Sequence, residues 1–129
     1  MFDKYIICEN SLRQHVENGE TRRYSVGVRL PYYRALGLSM VEQIALTIDG
    51  EPVAREHMTL TVADGRFPVA ELGSALDARW GFGEIARLEV DGTLPQTGGA
   101  HDVQIEQHLR ISYLPFTLVG KDRKQLAVV

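Results

Sequence analysis

Four histidines, His15, His57, His101 and His108, are the side chains of this 129-residue chain best suited to hold a metal or move a proton. None of them forms His-x-His, His-Glu-x-x-His or a cysteine–histidine cluster, so no metal-ligand spacing is present. His101 and His108 stand seven apart on an alternating segment, which turns them to opposite faces and prevents them from sharing an ion. His108 lies with Glu106 and Arg110 at i, i±2, so the three occupy one polar face. That trio suits a proton-transfer set, a charged surface facing a partner, or a solvated strand face. No serine sits in Gly-x-Ser-x-Gly, and Gly81-Phe82-Gly83 is too short for a dinucleotide fingerprint and has no βαβ unit around it. Paired carboxylates for glycoside hydrolysis are defined by a distance that sequence does not carry. Taken alone, the chain lacks the parts of a self-sufficient enzyme.

Two aromatic stretches stand out instead. Between two alternating segments lie Tyr32, Tyr33, Arg34, Leu36 and Leu38, in a loop from Tyr32 to Ser39 that lacks the usual loop residues. Interfaces are rich in tyrosine and arginine, so this loop suits contact with a partner as well as packing on its own scaffold. Trp80-Gly81-Phe82-Gly83 sets two large rings among glycines. It suits packing at a tight corner, or a stacking surface for a sugar or a neighbouring subunit.

The elements that must position these residues are strands. Tyr24, Val26, Val28 and Leu30 alternate with Ser25, Gly27 and Arg29, giving a strand with one buried face that Pro31 ends. Ile44, Leu46 and Ile48 repeat the pattern and finish at Asp49-Gly50. Further strands are expected at Tyr5–Cys8 (buried on both sides), Leu12–Val16, His57–Val62, through Phe67, Ile85–Val90, Asp102–Leu114 and Leu126–Val129. Asn18-Gly19, Asp49-Gly50, Ala63-Asp64-Gly65 and Asp91-Gly92 are turn signals, because glycine and asparagine accept positive φ. Glu9-Asn10-Ser11 is a turn or bulge, and Thr93–Ala100 an exposed loop. Leu72 and Leu76, four apart between Pro68 and Ala78, fit about two turns of helix. These signals predict an all-β, antiparallel β-sandwich of about nine short strands with at most one short helix, in a single domain over residues 1–129.

Composition narrows the class. The net charge of −3 speaks against a nucleic-acid or anionic-membrane partner. Cys8 is the sole cysteine and cannot form an internal disulfide, and it falls in an apolar run. No run is long enough for a signal-peptide core or a membrane span, which points to the cytoplasm.

Four blocks together carry a family resemblance. They are Met1-Phe2-Asp3-Lys4-Tyr5-Ile6-Ile7, Arg29-Leu30-Pro31-Tyr32-Tyr33-Arg34 with Leu38-Ser39, Trp80-Gly81-Phe82-Gly83-Glu84, and Leu109-Arg110-Ile111-Ser112-Tyr113-Leu114-Pro115-Phe116. In this order and spacing the chain resembles the small β subunit of bacterial C-glycoside deglycosidases, over nearly its whole length. The resemblance implies a heteromeric enzyme whose α subunit is a (β/α)₈ barrel carrying a divalent metal, manganese, with no cofactor in this chain. It implies cleavage of the carbon–carbon bond between a sugar and an aromatic aglycone such as a flavonoid, after the C-glucoside has been oxidised to its 3-keto form. A ketone at C3 acidifies the C2 proton, so a base can remove it and the aglycone can leave C1 by β-elimination. No catalytic residue is carried over. The interface or active-site rim is expected at Tyr32, Tyr33, Arg34, Trp80, Phe82, His108 and Arg110. A stand-alone carbohydrate-binding sandwich and a structural subunit of another assembly are the alternatives.

Overall fold

A computed structural model describes residues 5–17, 20–32, 34–94, 99–112 and 114–129. The expected turn at Asn18-Gly19, Tyr33, Tyr113, residues 95–98 of the expected 93–100 loop and the first four residues lie outside them; of the rest of that loop Leu94 is buried and Ala100 already opens a strand.

Eleven strands are present among the described residues: β1 Arg13–Glu17, β2 Glu20–Val28, β3 Leu36–Gly37, β4 Val41–Ile48, β5 Glu51–Pro52, β6 Met58–Val62, β7 Gly65–Pro68, β8 Arg79–Trp80, β9 Ala86–Asp91, β10 Ala100–Leu109 and β11 Leu118–Ala127. Two antiparallel sheets hold nine of them, in the orders β1-β2-β9-β6-β7 and β11-β10-β4-β5. Tyr24, Val26, Leu60 and Leu88 from the first sheet meet Ile44, Leu46, Val103 and Ile105 from the second in one core. The all-β antiparallel sandwich read from alternation is therefore the fold.

Several boundaries differ from the sequence reading. Tyr5–Cys8 is not a strand: it makes one bridge, Ile7 to Val28, beside the end of β2. Ile6, Ile7 and Cys8 are buried, but Tyr5 is 54% exposed. Glu9-Asn10 is a turn, with Asn10 at φ 56°. The Ser11 hydroxyl ties this turn to β2, donating to the Cys8 carbonyl at 2.5 Å and accepting the Gly27 N–H at 3.0 Å. Ser25, under Arg87 and His15, and Gly27, against Ser11 and Ile85, are buried although they face away from the core.

The expected helix is a 3-10 segment, Val69–Ser74. Leu72 enters the core but Leu76 is 76% exposed, because the tighter winding ends before a second helical turn can bring it round. β10 stops at Leu109, where the register with β4 shifts, rather than running to Leu114. The last strand starts eight residues before Leu126, its polar sequence concealed by its position at a sheet edge.

β11 lies along the N-terminal flank. Asp122 accepts the Ile7 N–H at 2.9 Å and the Lys124 ammonium at 2.6 Å, and Val129 N–H donates to the Leu12 carbonyl. This contact closes one side of the sandwich, and the 3-10 segment closes the other by packing against β4, β6 and β7.

Candidate functional site

The register places one set of loops at one end of the sandwich. Val28 pairs with Ala86, and Leu109 pairs with both Val41 and Leu118, so β2, β4, β9, β10 and β11 all begin or finish there. Gln107 Nε2 donates to the Arg29 carbonyl across the sheets at 3.2 Å, and Arg110 N–H donates to the Met40 carbonyl at 2.8 Å. β3 and β8 then tie the two aromatic stretches together: Leu36 pairs with Trp80, Gly37 with Arg79, and Leu38 N–H bonds the Ala78 carbonyl. Residues far apart in the chain thus meet at this end.

Their roles there are unequal. Tyr32 is buried, and Arg34 is exposed. Trp80 is fully buried, its indole N–H donating to the Glu84 carbonyl at 3.0 Å, so it packs the corner and presents no ring to solvent. Phe82 is 62% exposed. The turn beneath it is pinned by the Glu84 carboxylate, which accepts the N–H of Gly81 at 2.9 Å and of Ala63 at 2.7 Å. Gly83 takes φ 75°, a conformation glycine adopts without strain.

His108 and Glu106 do come together, 2.5 Å apart on the outer face of β10, with Lys121 3.5 Å from the same carboxyl group. The hydrogen bond from His108, then the Lys121 charge, hold the Glu106 carboxyl below its ordinary range. Arg110 is not part of this pair; its guanidinium reaches Met40 Sδ instead. The outer face of this sheet also bears a shallow depression of about 350 Å³ over Ala45, Thr47 and Gln104. Among the described residues no three His, Cys, Asp or Glu side chains gather to hold a metal. Cys8 is buried and burial pushes its thiol pKa up, away from the reactive thiolate.

Two features escaped sequence reasoning. The first is a continuous surface running from this end along the flank beside β11, formed by two grooves of about 740 and 340 Å³ that share Tyr5 and Arg29. The larger adds Ile85, Asp122 and Lys124, and the smaller adds Leu30 and Phe82. These residues come from four separate stretches, and no local pattern links them. The second is the buried Gln107, whose amide nitrogen holds Arg29 while its oxygen has no partner. Strand parity alone could have found it, since Gln107 falls between the inward Ile105 and Leu109.

Residues 2–113 match the family model described as C-glycoside deglycosidase beta subunit. The 3'-dehydrocarminate deglycosidase beta subunit of a Microbacterium species is 34% identical, covering 99% of this chain and 96% of that protein. A C-glycoside deglycosidase beta subunit of Arthrobacter globiformis is 28% identical over 87% of this chain and 84% of its own length. One from Eubacterium cellulosolvens is 30% identical over 76% and 67%. The chain belongs to the C-glycoside deglycosidase beta subunit family.

Proposed function

We propose that this chain is the accessory subunit of a heteromeric C-glycoside deglycosidase acting on 3-keto C-glucosides of aromatic aglycones such as flavonoids. The observation that carries the reading is the family match over residues 2–113, together with a relative of nearly equal length whose name specifies a 3'-dehydro substrate. A 3'-dehydro sugar is a 3-keto sugar, and that ketone makes β-elimination of a carbon-linked aglycone accessible: the base takes the C2 proton, the C1–aglycone bond breaks, and an acid protonates the departing carbon. The described residues of this chain do not fit a metal centre. The proposal therefore assigns the divalent metal, manganese, and the base to a (β/α)₈-barrel partner, in a complex that works in the cytoplasm.

In this reading the end of the sandwich that carries Arg34, Phe82 and Arg110 faces the barrel near its active-site rim. The carbohydrate-module alternative needs a row of exposed rings, and the burial of Trp80 removes the start of the one row that the sequence offered.

Co-expression with a barrel subunit encoded beside it tests the proposal. The two chains are expected to co-purify and to release aglycone from a 3-keto C-glucoside, while this chain alone releases none. Robust metal-independent activity of the isolated chain would overturn it.

A further inference from the structure

We propose that the catalytic subunit docks on the double groove around Arg29, inserting an apolar segment that carries a carboxylate between Tyr5, Phe82 and Ile85. This inference rests on the β-subunit reading above and names the surface that serves it.

Three of the large apolar side chains exposed on this molecule line these two adjoining grooves: Tyr5 at 54%, Phe82 at 62% and Ile85 at 50%. Single exposed apolar residues are ordinary, whereas a contiguous group marks an interaction surface. The grooves are open along their length, which suits a protein segment better than an enclosed small molecule.

The walls are held before any partner arrives. The Phe82 turn is fixed by three hydrogen bonds to Glu84 and its backbone. The opposite wall is fixed by Ile7 N–H on Asp122, Cys8 N–H on the Gly27 carbonyl at 2.9 Å and Arg29 N–H on the Ile6 carbonyl at 2.7 Å. A rigid apolar face loses little entropy on binding, and this favours docking there over a mobile loop.

Charge defines the occupant. Arg29 lies where the grooves meet, and its guanidinium makes one long contact, 3.5 Å to the Tyr5 carbonyl. No carboxylate among the described residues pairs with it. Of the other charges that line the larger groove, Asp122 takes Lys124, Arg123 holds Asp102 in two bonds of 2.8 and 3.0 Å, and the exposed Glu9 makes no ion pair with Arg29. An arginine flanked by Tyr5, Phe82 and Ile85, with charged side chains only along the larger groove, has the composition of an interface centre, and it selects a partner that brings a carboxylate.

The test uses the two-subunit complex. Phe82→Ser, Ile85→Ser and Arg29→Glu are each expected to raise the Kd for the catalytic subunit at least tenfold, with Leu76→Ser as an exposed control that leaves it unchanged. The unfolding temperature of each isolated variant reports whether the fold is intact. Hydrogen exchange on the wild-type complex, which needs no variant, is expected to show protection of residues 5–9 and 80–85. If the wild-type complex forms but the three variants bind within twofold of it and these segments gain no protection, the docking surface is wrong and the β-subunit reading stands. If the variants abolish only self-association of this chain, a second copy occupies the groove and the inference falls. If no catalytic subunit binds the wild-type chain, the β-subunit reading fails with it.

Discussion

Asp49 and His101 hold the far end of the sandwich together: Asp49 Oδ2 lies 2.7 Å from His101 Nδ1, joining the β4–β5 turn to the start of β10. Asp49 also accepts the Asp102 N–H at 2.9 Å and sits at φ 50°. The His101 bond, then the Asp102 N–H, hold its carboxyl below the ordinary range. A depressed folded pKa gives stability that is present above the unfolded value, about 3.9, and is lost as pH falls through the folded one. Asp49→Asn keeps a side chain that tolerates positive φ, so it isolates the charge. It is expected to cost about 1–3 kcal/mol at pH 7. The gap to wild type should narrow below pH 4, as urea denaturation at pH 7 and pH 3 will show.

The tryptophan supplies its own readout, being single in the chain and fully buried. Native emission is expected at short wavelength and resistant to iodide quenching, shifting to long wavelength on unfolding. Trp80→Ala should destabilise by about 3–5 kcal/mol through the cavity it leaves. Trp80→Phe, which loses mainly the bond to the Glu84 carbonyl, should cost about 1–2 kcal/mol.

Gly120 is required by close approach rather than by dihedral angle. A Cβ there would sit 2.7 Å from Pro31 Cβ and Cγ and 3.1 Å from Ile6 Cδ1, and the proline ring cannot rotate away. Gly120→Ala is expected to lower stability by about 1–3 kcal/mol. Thermal unfolding of the isolated chain checks this, and an unchanged midpoint would show that β11 slides outward without cost.

Within the Tyr32–Ser39 loop the structure separates two effects that sequence joins. Tyr32→Ala, at a buried position, should lower the stability of the isolated chain by about 3–5 kcal/mol. Arg34→Ala, at an exposed one, should change it by no more than about 1 kcal/mol. If Arg34 meets the partner as a hot spot, its loss should weaken assembly by about 1–4 kcal/mol. Circular dichroism melts beside dissociation measurements distinguish the two.

Deleting Leu126–Val129 removes a buried leucine and the Val129 bond to Leu12, and should cost about 2–5 kcal/mol together with solubility. Deleting only Val128 and Val129 should cost far less. Equal melting midpoints for both truncations and the full chain would show that the end contributes nothing.

Local chemistry determined much of this protein. Alternation through Tyr24–Val28, Ile44–Ile48, Met58–Val62 and Val103–Leu109 specified strands and their inward faces, because side chains in a strand change sides at every residue. Asp49-Gly50 specified a turn, because few residue pairs accept that backbone. The four sequence blocks identified the family. Tertiary structure decided the rest. Tyr32 and Phe82 are both aromatic loop residues, yet one is buried and the other exposed, since only the pairing of Leu36 with Trp80 establishes which way each stretch turns. The polar strand Leu118–Gln125 carries no apolar period because it lies at a sheet edge, where its sequence answers to the N-terminal flank and not to the core. Arg29 became the centre of a groove only when Tyr5, Phe82 and Ile85, from distant parts of the chain, folded around it. Contacts of that range depend on how two sheets stack, and no window of sequence contains them.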